Sequence, residues 1–167
     1  MSIGLGHRLR RPVLALAVLL AVAGCTRGDP IAADQAVAHY DAVAEDLTGA
    51  IGTTHTEWTL DERTRHVRAK DDVCRYNPGR WTPKPALAID EDADWDEWIA
   101  ALNPVLVKDG FQKLHKVDQA EYSQILTTHD SHGAQVEITP DGTLRIWDAT
   151  VAAKPCADSA VGLGSDG

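Results

Sequence analysis

The chain has no excess of positive charge: it carries 16 Lys+Arg against 25 Asp+Glu, a formal charge of -9 over 167 residues. Nucleic-acid binding requires a basic surface to neutralise phosphates, so that class is excluded. Electrostatic docking on anionic lipid is disfavoured for the same reason. There is also no apolar run of the ~20 residues that a membrane-spanning helix needs. The stretch Val13 to Ala23 has only 11. Catalytic motifs are missing as well. The serines beyond residue 24 are Ser123, Ser131, Ser159 and Ser165, and none lies in G-x-S-x-G or S-x-x-K, so no nucleophile elbow is present. There is no Gly-rich phosphate loop and no C-x-x-C pair. The rest of the composition, 44% apolar and 25% charged, is that of a globular protein, and the length allows one domain.

The N-terminus has the form of an export signal. His7, Arg8, Arg10 and Arg11 make a basic flank, the apolar run follows, and it ends in Val22-Ala23-Gly24-Cys25. The run has the size of a signal-peptide core. Small residues directly before a Cys resemble the bacterial lipobox, in which the Cys thiol receives a diacylglyceryl group and the chain is cut before it. The neighbours of Arg10-Arg11 fit twin-arginine export poorly, so the general secretory route is expected. Residues 1–24 are therefore read as a lipoprotein signal, and Cys25 as the lipidated first residue of the mature chain. Cleavage removes three arginines and no acid, leaving 13 basic against 25 acidic residues, a charge of -12. Anionic headgroups repel such a body, so the acyl chains must do the holding, at ~0.8 kcal/mol per buried CH₂.

Of the three cysteines, Cys74 and Cys156 remain once Cys25 carries lipid. Disulfides persist outside the cytoplasm, and two thiols allow one pairing, Cys74–Cys156. Free thiols and metal ligands are the rival readings; no His stands at zinc spacing from either Cys.

Residues 25–33 read as a lipidated tether, 34–157 as one α+β domain and 158–167 as a flexible tail. Ala36, Val37, Tyr40, Val43, Ala44, Leu47 and Ile51 recur at helical spacing, predicting a helix over 34–51, with Asp34 as its cap and Gly52 as its stop. Trp95, Trp98, Ile99, Leu102, Val105 and Leu106 predict a second helix over 94–109, with Pro104 expected to kink it. Residues 57–60 alternate as a strand. Residues 61–72 are charged and show no regular pattern. Residues 77–85 (NPGRWTPKP) carry three prolines and a glycine and are expected as a loop. Strands are expected over 111–117, 121–128, 134–139 and 143–150. His129 to Gly133 would form a turn, and Pro140-Asp141-Gly142 a hairpin. The sum is an antiparallel β-meander sheet packed against two helices, in two layers.

The lipobox, the N-terminal helix, the run Cys74-Arg75-Tyr76-Asn77-Pro78-Gly79-Arg80-Trp81 and the ending His129-Asp130, Asp141-Gly142 and Cys156 together resemble the LppA/LppV-type lipoproteins of mycobacteria. The resemblance covers most of the mature domain. It implies a cell-envelope location and this fold, and brings no catalytic set with it.

Three groups were weighed as sites. Asp90 to Glu97 holds six carboxylates in eight residues, which suggests calcium. However, Trp95 stands where an EF-hand loop needs Gly, and Ala101 where it needs a bidentate Glu. An acidic first helical turn, favoured by the helix dipole, is the preferred reading. His129, Asp130 and His132 could bind a transition metal or simply build a turn; the turn is preferred, and no metal or other cofactor is expected. Arg80, Trp81, Arg145 and Trp147 are of the types that dominate binding hot spots. Arg145 and Trp147 would share the sheet face opposite Leu144 and Ile146. If that face is bare, it is a binding surface for an envelope protein or a glycan or lipid ligand. Otherwise the Trp81 loop folds over it and caps Trp147 as core, which is the stronger of the two readings. The functional expectation is a lipid-anchored, non-catalytic envelope protein on the extracytoplasmic face of the cell membrane. A small envelope hydrolase using carboxylates or His129 and His132 is the alternative.

Overall fold

The first helix forms where the apolar spacing places it. In the computed structural model, which describes residues 28–87, 89, 92–120 and 123–164, β1 (Ile31–Ala32) leads directly into α1 (Ala33–Ile51). Ala36, Tyr40, Val43, Ala44, Leu47 and Ile51 form its buried face. Asp34 is not the cap: Ala32 holds that position without a side-chain bond, and Asp34 lies in the first turn, where its charge complements the helix dipole. Next come β2 (Glu57–Leu60), a 3₁₀ turn (Glu62–Thr64), β3 (His66–Lys70), β4 (Val73–Asn77) and β5 (Gly79–Lys84). Then follow α2 (Asp92–Lys108), β6 (Asp118–Gln119), β7 (Gln124–His129), β8 (Gln135–Ile138), β9 (Leu144–Trp147), β10 (Ala149–Ala152) and a 3₁₀ turn at Asp158–Val161. The fold is α+β, and α2 continues through the exposed Pro104.

The strands form a four-stranded sheet, β1-β10-β4-β3, and a six-stranded one, β2-β5-β9-β8-β7-β6. Among the described residues only β1 pairs in parallel, with β10. The expected meander is present as β6 to β9. Besides α1, which leads from β1 to β2, three short segments pass from one sheet into the other: β2 through its 3₁₀ turn to β3, β4 to β5, and β9 to β10. The two sheets therefore share a corner. Gly79 turns it with φ 140°, and a Cβ there would stand 2.7 Å from Leu60 Cδ1. On the facing segment Asp148 adopts φ 65° and donates its N–H to Asn77 Oδ1 at 3.1 Å. α1 lies against β9 and β10, with α2 packed beside it. Leu126, Val136, Ile138, Leu144 and Ile146 are fully buried on the covered side.

Five expectations need correction. The run 77–85 is not a loop. From Gly79 to Lys84 it is a strand whose burial alternates residue by residue. Pro83 is tolerated because β9 pairs with β5 only from Gly79 to Trp81, so the missing N–H removes no ladder bond on that side. The charged stretch 61–72 contains β3, which turns into β4 through Asp71 and Asp72 at φ 51° and 61°. Two consecutive positive φ angles suit a tight hairpin, and Asp tolerates them better than most residues. Residues 143–150 are two strands broken at Asp148 rather than one. Residues 112–117 are not a strand, and Phe111 only bridges to Asp130. Finally, both ends of the described chain belong to the body. Within the expected tether, Asp29 N–H donates to Ser131 O at 2.9 Å and Ile31 is buried. Within the expected tail, Val161 is buried and the Asp158 carboxylate accepts the Val67 N–H at 2.6 Å.

Cys74 and Cys156 form a disulfide with a Cα–Cα distance of 5.2 Å. It ties β4 to the chain beyond β10 across a sequence separation of 82. A loop of that length confers about 4.5 kcal/mol in the chain-entropy model. Replacing both cysteines with serine should lower the urea midpoint accordingly, and an unchanged midpoint would show that the bridge adds nothing.

Candidate functional site

The alternation along β5 and β9 decides where the four candidate residues stand. Arg80 pairs with Arg145, and Trp81 with Leu144. Residues opposite each other in a ladder share a face. Trp81 therefore points inward with Leu144, at 9% exposure, while Arg80, Arg145 and Trp147 share the outward face. Trp81 is core, yet it does not cap Trp147: the two lie on opposite sides of the sheet. On the outward face Arg80 is exposed and Arg145 and Trp147 are partly exposed, with the 3₁₀ turn at its corner. The structure thus brings three of the four together.

The Arg145 guanidinium carbon lies 4.6 Å from the Trp147 ring centroid, within cation–π range. Next to Trp147 a hollow of about 230 Å³ opens at the sheet corner, bounded by Arg63, His66, Asn77, Arg80, Arg145 and Trp147. On the other side of Arg145 a second hollow includes Glu137 and Asp141. Among the described residues neither Arg80 nor Arg145 has a carboxylate within 4.0 Å, whereas Arg63 is paired with Asp61 at 3.1 Å. His66 and Asn77 were not foreseen, because their strands lacked an apolar alternation to reveal them.

The His129 to Gly133 turn is organised by Asp130. Its Oδ2 accepts the Tyr40 hydroxyl at 2.8 Å, and its Oδ1 accepts the N–H groups of His132 at 2.9 Å and Ala134 at 2.8 Å. This buried carboxylate is spent on the fold, as hairpin chemistry requires. His132 Nδ1 lies 2.6 Å from Asp29 O, and the His132 ring stands edge-on to His39 at 6.2 Å. A hollow of about 420 Å³ beside the turn reaches His129, Gln112 and Asp29. It offers the hydrolase reading a cleft, but its buried carboxylate is already committed. Asp109, near His39, has its pKa raised, chiefly by burial. Among the described residues no group of three or more His, Cys, Asp and Glu could hold a metal ion.

Asp90 and Glu91 lie outside the described residues, as do the side chains of Asp92 and Asp94. The helix beginning at Asp92 puts the following acids on its first turns. Trp95 is buried there and donates its indole N–H to Gln124 Oε1 at 2.9 Å. Cys25 also lies outside the described residues.

No protein-family model, curated protein or solved structure matches the chain.

The pKa of Tyr40 is raised far above its ordinary 10.0, first by burial and then by the Asp130 charge. Burial also raises that of Tyr76, against the opposing effect of Arg65. A raised pKa means that the folded state holds the proton more tightly than the unfolded chain. The resulting stability is complete below pH ~10 and falls as the pH rises beyond it. Alkaline titration followed by circular dichroism should show this loss. In Tyr40→Phe the loss should be shallower, and the neutral-pH stability should drop by about 1–3 kcal/mol because Asp130 loses a donor. An unaltered alkaline slope would remove Tyr40 from the account.

Proposed function

We propose that the chain is a lipid-anchored cell-envelope lipoprotein of the LppA/LppV type, held on the extracytoplasmic face of the cell membrane by lipid on Cys25. It is non-catalytic and binds a protein, glycan or lipid ligand through its outward sheet face. The sequence from the basic flank to Val22-Ala23-Gly24-Cys25 carries the anchoring part of this reading. No helix among the described residues is long and apolar enough to cross a membrane. The fold makes the tether shorter than the sequence suggests. Gly28 sits so close to the turn that a Cβ on it would come within 2.2 Å of the His132 carbonyl carbon. The bare face bearing Arg80, Arg145 and Trp147 supports the binding part.

Expressed in a host with lipoprotein processing, the protein should partition into the detergent phase of Triton X-114. Mass spectrometry should find a diacylated N-terminal Cys25. Cys25→Ala should move the protein to the aqueous phase with its signal uncleaved or cleaved elsewhere. An aqueous wild type with an unmodified thiol would overturn the anchoring.

A further inference from the structure

The corner hollow has an electrostatic character opposite to that of the chain. The protein carries 25 acidic against 16 basic residues, yet no carboxylate lines this hollow. Arg63 is neutralised by Asp61 at 3.1 Å. Arg80 and Arg145 stand directly opposite each other on adjacent strands, an arrangement that like charges disfavour; Glu137 on β8 faces Arg145 and Asp61 acts on Arg80, but among the described residues neither arginine has a carboxylate within 4.0 Å. Arg145 is also held over Trp147 at 4.6 Å, which fixes the plane of its fork before any ligand arrives. Asn77 Oδ1 accepts the Asp148 N–H, so the Asn77 amide nitrogen is the donor to His66 Nε2 at 3.0 Å. That leaves the other His66 nitrogen as an N–H donor at the rim. The hollow thus offers two unpaired guanidinium groups and a neutral donor.

We propose that this hollow binds a phosphate ester carried by a ligand in the aqueous phase, with Arg80 and Arg145 as its charged partners and Trp147 as a positioning residue for Arg145. This rests on the reading of the outward face as a binding surface and names what it binds. Two opposed guanidiniums match a doubly charged oxyanion, whereas a single carboxylate would leave one of them unanswered. The anion belongs on the Trp147 side of Arg145, because Glu137 and Asp141 line the other side. A bilayer headgroup is the poorer source. Membrane docking uses clusters of about four to eight exposed basic residues, whereas Arg80 and Arg145 line a recess on a chain of net charge -9.

The test is a titration of the full mature protein in non-ionic detergent with glucose 6-phosphate, inorganic phosphate, glucose and chloride at matched ionic strength. The Trp147 indole and arginine Nε–H resonances report binding. Both phosphates should shift them saturably, while glucose and chloride leave them in place. Arg80→Gln and Arg145→Gln should each weaken binding about tenfold or more. Trp147→Ala should weaken it too, while Trp147→Phe, which keeps a ring face for Arg145, restores most of it. Both arginine side chains lie on the outward face, so neither variant should melt below the wild type. Wild-type affinity in both arginine variants, or equal shifts with chloride, overturns the site. Binding to phosphatidylglycerol vesicles without response to glucose 6-phosphate overturns the aqueous source. Binding of a protein partner lost in Trp147→Ala without any phosphate response would keep the outward face as a binding surface while overturning the phosphate site. The state of Cys25 has no bearing on these readouts, so failure of the anchoring is seen separately.

Discussion

The architecture turns on the hydrogen bond from the Asp148 N–H to Asn77 Oδ1, which pins the sheet corner where β4 passes into β5 and β9 into β10. A flat sheet of this length would leave a wide apolar face to cover. Folding it lets α1 and α2 enclose the inner side with little chain. The corner is braced on both flanks. The Asp148 carboxylate reaches Lys70 at 3.2 Å. Arg65, just after the 3₁₀ turn, donates to Asp41 on α1 at 2.8 Å and to the Tyr76 hydroxyl at 3.1 Å. Exposed ion pairs contribute little to stability by themselves. Here their role is to hold three crossing segments in one register.

The same corner separates polar groups devoted to structure from those left available. Inside, Tyr40 and Asp130 satisfy each other, and the remaining lone pairs of Asp130 are taken by the turn's amides. Removing one member of such a network leaves a buried group unpaired, which is where the energetic cost lies. Outside, Arg80 and Arg145 face one another across the β5–β9 ladder, with no carboxylate within 4.0 Å among the described residues, close to a tryptophan that restrains one of them. This contrast directs attention to the outward face rather than to the histidine-rich turn.

Much of this layout was legible in the sequence, and the gaps have physical causes. Both helices are found within two residues of their expected ends, because an apolar stripe at helical spacing is a strong signal. The Cys74–Cys156 pairing and the 57–60 strand also stand, as does the sharing of one face by Arg145 and Trp147. The strands β3 to β5 were hidden for two reasons. β3 is largely exposed, so it shows no alternation, and its turn uses Asp71-Asp72 rather than a glycine pair. In β5, Pro83 suggested a loop, but it lies beyond the stretch paired with β9 and faces Trp58 of β2 alone. The break at Asp148 left no mark in the pattern, since β9 and β10 both contain apolar residues. The loop expected over 77–85 makes Trp81 a candidate cap for Trp147. Once residues 79–84 are a strand, parity alone puts the two indoles on opposite faces.

The central claim is that the folded sheet holds Arg80 and Arg145 opposite one another and unpaired on a bare face. A double-mutant cycle in stability, with Arg80→Gln, Arg145→Gln and the double variant unfolded in urea at low and high salt, measures this directly. The account predicts a repulsive coupling of about 0.2–1 kcal/mol, so that either substitution stabilises, the second adds no further gain, and salt erases the effect. An attractive or absent coupling at low salt would contradict it.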